Sequence, residues 1–105
     1  MNEGKLVLGV TIGDPAGIGP EITLKALARI NFHPGTKLFL FGDEPVLKRT
    51  GLSVPEGVTV ITSGIINNQA FSKGKASSAT GKAAYRYFLD AISFLKMPIP
   101  SLKLR

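Results

Sequence analysis

The sequence has no cysteine and only one histidine, His33. Without cysteine there can be no disulfide and no thiolate metal site, which agrees with a reducing cytoplasm. Long apolar runs are also missing. No window approaches the roughly 18–20 apolar residues that a membrane span requires, so no membrane partner is expected. The start, Met1-Asn2-Glu3-Gly4-Lys5, lacks the basic residues, apolar stretch and small-residue cleavage site of a signal peptide. Acids are scarce: 7 stand against 13 bases, a formal net charge of +6. Part of that surplus is local, because Lys96, Lys103 and Arg105 lie in a C-terminal stretch without acids. The remaining bases are scattered, with only Lys48-Arg49 adjacent, so no basic face for nucleic acid is expected.

What is present suits a globular core. Apolar residues make up 44% of the 105 and charged residues 19%, which is compatible with roughly one small domain. Three apolar runs alternate with helical patterns, as in the βα units of an α/β protein with a parallel sheet. The first strand is expected over Lys5–Ile12 and the second over Lys37–Gly42. The third is expected over Val58–Ile61, followed by a polar loop over residues 62–77. A helix is expected from Pro20 to Ile30, with proline in its first turn and Glu21 favoured by the dipole there. Asn31 and Pro34-Gly35 stop it.

Asp43 reads as the cap of a short helix, Glu44–Thr50, closed by Gly51, more than as half of an acid–base pair with Glu44. A last helix is expected from Ser77 or Ser78. Ala84, Tyr87, Phe88, Ala91, Ile92 and Leu95 share its apolar face. Tyr85, Tyr87 and Phe88 read as packing groups. Gly81 weakens that helix by roughly 1 kcal/mol relative to alanine, and a close backbone approach is one reason to tolerate it. Pro98 and Pro100 end it.

The most informative stretch is Gly13-Asp14-Pro15-Ala16-Gly17-Ile18-Gly19-Pro20-Glu21. It joins the first strand to the first helix. Backbone N–H groups converge at such a place with no bulky side chain in the way, which suits an anion or a cofactor edge. A tight structural turn, with glycines for positive φ and Asp14 as its cap, fits the same residues. The loop is no Walker A motif, because Pro20-Glu21 stand where Lys-Ser or Lys-Thr belong. It is no Rossmann fingerprint either, because Ile22 stands where the third glycine belongs. Elsewhere, Lys73 and Lys75 flank Gly74 in a loop and read as solvated lysines before phosphate ligands. His33, in a turn without a nearby carboxylate in the sequence, reads as a surface histidine and no metal ligand.

The loop resembles the opening of the 4-hydroxythreonine-4-phosphate dehydrogenase family of vitamin B6 biosynthesis. The isocitrate and isopropylmalate dehydrogenases open on a related loop without the Pro15-Ala16 insert. A second segment, Gly74-Lys75-Ala76-Ser77-Ser78-Ala79-Thr80-Gly81-Lys82-Ala83-Ala84-Tyr85, resembles that family's Gly-Lys-x-Ser-x-x-x-Gly-x-x-Ala-Tyr. The resemblance covers residues 5–95. It implies a parallel βαβ fragment of the isocitrate/isopropylmalate dehydrogenase-like fold, the N-terminal third of such an enzyme. Residues 1–96 would be the incomplete dehydrogenase domain and 97–105 a non-native tail.

The same resemblance implies an NAD- or NADP-dependent oxidation of a phosphorylated hydroxy-amino acid, followed by loss of CO2; the alternatives are a same-family dehydrogenase for a phosphorylated four-carbon sugar acid and a non-catalytic phosphate- or nucleotide-binding module. It implies a cytoplasmic homodimer whose histidines hold a divalent metal. By that resemblance Gly13, Asp14, Gly17, Ile18 and Gly19 would line the cofactor cleft. The family's His-Thr pair, metal histidines and later Lys, Asn and Arg contacts match nothing here. No catalytic residue is therefore expected in this chain, and it should bind cofactor and metal poorly. The resemblance fails near Lys96, where truncation or a reading-frame shift is expected. Lys-Met-Pro-Ile-Pro encoded as AAA ATG CCG ATA CCG becomes Lys-Asn-Ala-Asp-Thr on insertion of a single A, close to what the family places there.

Overall fold

A computed structural model of the chain describes residues 6–66 and 78–96. Its elements run β1 (Leu6–Thr11), α1 (Gly19–Arg29), β2 (Thr36–Gly42), α2 (Glu44–Lys48), β3 (Val58–Thr62) and α3 (Ser78–Leu95). The strands form one parallel sheet in the order β1-β2-β3. Leu8 pairs with Leu38 and Val10 with Leu40, while Leu40 pairs with Val60 across the next ladder. The expected α/β architecture is therefore observed, with boundaries within a residue or two of those read from the sequence. Lys5, the loop over residues 67–77 and the tail over 97–105 lie outside the described residues.

The central strand explains itself. Leu38, Phe39, Leu40 and Phe41 are all buried, as a strand covered on both faces must be. Alternation sends Phe39 and Phe41 to one side. There they meet Phe94 of α3, with ring centroids 4.6 Å and 5.5 Å apart. Leu38 and Leu40 point the other way, and Leu24, Leu27, Val46 and Leu47 from α1 and α2 complete the core. The flanking strands β1 and β3 are mostly half-buried, as befits the two edges of the sheet.

Helix α1 follows its sequence signals. Pro20 lies in its first turn, and Glu21 pairs with Lys25 at 3.0 Å. Ile30, in extended conformation, ends it just before Asn31. On α3 the apolar residues divide differently from the single face expected. Tyr87 and Ala91 are buried, together with Ala83, whereas Phe88, Ile92 and Leu95 are exposed. The apolar arc is wider than the sheet it covers, and three-to-four spacing alone does not say which edge of the arc turns inward. The Arg86–Asp90 pair expected on its polar side is present at 3.4 Å.

Gly81 also departs from expectation. A methyl group built there meets no described atom within 4 Å, so close packing does not account for it. Gly81→Ala should therefore stabilise the chain by about 0.5–1 kcal/mol through helix propensity alone. Urea titration followed by far-UV circular dichroism checks this. A loss of stability would show a contact at that position.

Candidate functional site

All three strands end on the same rim of the sheet, the carboxyl end of each, which in open α/β sheets is where ligands bind. The first strand leaves through the glycine-rich turn. Its ladder is prolonged by the Ile12 N–H, which donates to the Phe41 carbonyl at 3.2 Å. Gly13 follows with φ +76°, a conformation that side chains disfavour. Asp14 then closes the turn on itself. Its Oδ1 accepts the Ala16 N–H at 2.8 Å and its carbonyl accepts the Gly17 N–H at 2.9 Å. The capping role read for Asp14 is thus present. Pro15 and Ala16 are buried beneath the turn, while Gly17 and Ile18 face solvent, with Ile18 71% exposed.

Gly19 opens α1 hard against the strand. A Cβ there would collide with the Ile12 carbonyl oxygen, so only hydrogen fits. Pro20 comes next and contributes no N–H, which leaves the helix N-terminus poorer in donors than a phosphate loop. The five residues proposed from sequence to face a cofactor therefore form one continuous turn on the rim. Its exposed crest is Gly17 and Ile18. The adjoining recess against α2, lined by Pro15, Gly17, Pro20, Val46 and Arg49, is about 10 Å³, no larger than a water site. That recess is too small to enclose a nucleotide.

The second strand ends at Asp43, and here the structure corrects the sequence reading. The Asp43 carbonyl does start α2, accepting the N–H groups of Val46 and Leu47, but its side chain makes no cap hydrogen bond. Instead the carboxylate is fully buried and collects donors from distant parts of the chain. Its Oδ1 accepts the Thr62 hydroxyl at 2.7 Å and the Gly64 N–H at 2.6 Å. Its Oδ2 accepts the Ser63 hydroxyl at 3.0 Å, the Ile66 N–H at 2.9 Å and the Tyr87 hydroxyl at 2.8 Å. Tyr87, read as a packing group, is a buried hydrogen-bond donor as well.

The protonation of this pair follows from its surroundings. Burial pushes the Asp43 carboxyl up, but the hydrogen bonds from Thr62, Ile66, Tyr87 and Gly64 outweigh it and hold the group below the ordinary carboxylate value. Burial, then the hydrogen bond and charge of Asp43, then the charge of Asp14, push the Tyr87 hydroxyl well above its ordinary value. Asp43 is thus an anion and Tyr87 a neutral donor at neutral pH, a pairing that anchors structure more readily than it moves protons.

A depressed carboxyl stabilises the fold fully above the unfolded value of about 3.9 and loses that contribution as pH falls through the lower folded value. The stability difference between the wild type and Asp43→Asn should therefore be constant from pH 7 to about pH 5 and shrink below about pH 4. Urea unfolding at a series of pH values measures it. A difference that grows in acid would contradict the assignment.

The two carboxylates are linked through α3. Thr80, buried near its start, places its hydroxyl 3.4 Å from Asp14 Oδ2. His33 sits exposed in the α1–β2 turn, away from this rim, with its carbonyl accepting the Thr36 N–H. No group of three or more His, Cys, Asp or Glu suited to a metal occurs among the described residues. No helix among them is long and apolar enough to cross a membrane. Lys73, Gly74 and Lys75 fall outside the described residues. Sequence reasoning missed the Asp43 cluster. Its one local signal is an acid placed directly after the buried run Leu38–Phe41.

The chain matches no protein-family model. Among curated proteins it is 34% identical over 96 residues to a 4-hydroxythreonine-4-phosphate dehydrogenase of Synechococcus sp. (strain JA-3-3Ab), which covers 81% of this chain and 28% of that protein. It is 29% identical over 114 residues to a Clostridium botulinum protein provisionally named a D-threonate 4-phosphate dehydrogenase, covering 91% of this chain and 34% of that one. Among solved structures, a 4-hydroxythreonine-4-phosphate dehydrogenase from Burkholderia phymatum superposes with a TM-score of 0.70 at 26% identity, over 85% of this chain and 32% of that one. The chain spans about a third of the length of the curated relatives it matches. Its sheet and helices are accordingly part of the isocitrate/isopropylmalate dehydrogenase-like fold. Over most of its own length, the chain is similar in both sequence and fold to about one third of a 4-hydroxythreonine-4-phosphate dehydrogenase.

Proposed function

We propose that residues 1–96 form one wall of the cofactor cleft of an NAD- or NADP-dependent dehydrogenase that oxidises a small phosphorylated hydroxy acid, which then loses CO2. The observation that carries this reading is the exposed Gly17–Ile18 crest on the rim of a sheet superposable on that of a 4-hydroxythreonine-4-phosphate dehydrogenase. A nicotinamide, when bound, accepts the hydride released as the substrate hydroxyl becomes a carbonyl. The part of this chain is steric and positional. Gly13 and Gly19 let the turn lie flat against β1, Asp14 fixes its curvature, and the crest presents Gly17, which has no side chain, beside the exposed apolar side chain of Ile18. The described residues do not fit a metal, so no step is assigned to one. The whole enzyme is read as a cytoplasmic homodimer, without nucleic-acid or membrane partners. The chain alone is read as non-catalytic, since its buried carboxylate is committed to five donors and the recess beside the glycine-rich turn is no larger than a water site.

A chimera tests this reading. Residues 6–96 replace the corresponding segment of the Burkholderia phymatum enzyme, and reduction of NAD is followed at saturating 4-phosphohydroxythreonine. Turnover is expected, and a folded chimera that binds substrate but neither NAD nor NADP would refute the cofactor wall. The Clostridium botulinum relative favours a second substrate, D-threonate 4-phosphate, which the same chimera assay can compare directly. A rival of another class is a non-catalytic phosphate- or nucleotide-binding module. Calorimetric titration of the 105-residue chain with NAD separates them, because tight saturable binding without turnover belongs to the module alone.

A further inference from the structure

We propose that Asp43 and Tyr87 are positioning residues for the glycine-rich turn and act on it through α3 and Thr80. Thr80 and Tyr87 stand seven residues apart on α3, two helical turns, and so share one face about 10 Å long. Both are buried. Each reaches a different strand end. The Tyr87 hydroxyl donates to Asp43 Oδ2 at 2.8 Å, beyond β2, and the Thr80 hydroxyl to Asp14 Oδ2 at 3.4 Å, beyond β1.

Asp14 passes the constraint onward, because its other oxygen holds the Ala16 N–H and its carbonyl the Gly17 N–H. Asp43 meanwhile holds the segment after β3 through Thr62, Ser63, Gly64 and Ile66. Two carboxylates and one helix thus tie all three strand ends into a single belt. The register of α3 along the rim sets where Asp14 sits, and Asp14 sets the crest at Gly17 and Ile18. The functional weight of this coupling rests on the reading of that crest as a cofactor wall, but the coupling itself is a property of the chain.

Amide hydrogen exchange on the full 105-residue chain tests it without any cofactor, comparing wild type, Tyr87→Phe, Thr80→Val and the double variant. Global stability is measured in parallel, so that loop exchange is judged beyond any overall loss. Tyr87→Phe should speed exchange at Ala16 and Gly17 by about 3- to 10-fold beyond the global change. Thr80→Val should do the same while leaving Gly64 and Ile66 protected. The double variant should be no faster at Ala16 and Gly17 than Thr80→Val alone, because the path is already cut. Additive acceleration in the double variant, or less than about a twofold change at Ala16 and Gly17 in Tyr87→Phe, would overturn the proposal. Should Tyr87→Phe fail to fold, Thr80→Val decides alone, since unchanged exchange at Ala16 and Gly17 breaks the chain of contacts. Failure of the chimera to bind NAD would remove the cofactor reading and leave this result untouched.

Discussion

Asp43→Ala should destabilise the chain by about 3–5 kcal/mol, a large fraction of the ~5–15 kcal/mol that a domain typically has. The reasoning starts from what each of the five donors does when the carboxylate is gone. Thr62 and Gly64 are exposed and Ser63 is half-exposed, so water replaces their acceptor at little cost. Ile66 N–H is partly covered. The Tyr87 hydroxyl is wholly buried and has nowhere to turn, and a buried orphan of that kind costs about 1–3 kcal/mol. To this is added the loss of charge-assisted hydrogen bonds, each stronger than a neutral one, and the cavity left by the missing carboxylate.

Asp43→Asn should cost less, about 2–4 kcal/mol, because it keeps the volume but turns an acceptor into a donor that faces other donors. Tyr87→Phe should cost least, about 1 kcal/mol, since four donors to the carboxylate remain. Chemical denaturation of the three variants gives the order directly. If Asp43→Ala came within about 1 kcal/mol of wild type, the buried carboxylate would not be the anchor that its hydrogen bonds suggest.

The reason this cluster was hidden in the sequence is geometric. Asp43 lies where a cap residue lies, after a strand and before a short helix, and its carbonyl does begin α2. What its side chain does depends on donors 19 to 44 residues away, which no local pattern reveals. Features governed by near neighbours were legible. Pro20 and Asn31 bracket α1, the buried run Leu38–Phe41 marks the central strand, and Arg86 finds Asp90 one turn on. The division of α3 was not legible. Tyr87 and Phe88 are adjacent and both aromatic, yet one is buried and the other exposed, because the sheet, not the helix, decides which part of the arc is covered. The glycine-rich turn lay between these cases. Its place between strand and helix could be read locally, whereas the separate reasons for its glycines could not.

Those reasons yield the second large effect, at Gly19. Alanine normally improves a helix over glycine. Here it should cost about 2–4 kcal/mol, because the new methyl meets the Ile12 carbonyl, and backbone on both sides cannot rotate away as a side chain would. The neighbouring glycines serve as controls. Gly13→Ala meets open space but is held at φ +76°, so it should cost about 1–2 kcal/mol from backbone conformation alone. Gly17→Ala has neither problem. Its methyl would lie 3.5 Å from the Asp14 carbonyl oxygen, an ordinary contact, and its φ is not positive. Stability there should change by less than about 1 kcal/mol, with the lost freedom of the unfolded chain acting in its favour. The expected order of cost is thus Gly19, Gly13, Gly17, measurable by thermal or urea unfolding of three single variants. The position that folding tolerates best is also the one on the exposed crest. A chimera carrying Gly17→Ala should therefore keep its fold while losing NAD affinity, whereas Gly19→Ala should lose both. If Gly17→Ala proved the costlier change, the turn would be packed in another way and its crest would not be free to face a ligand.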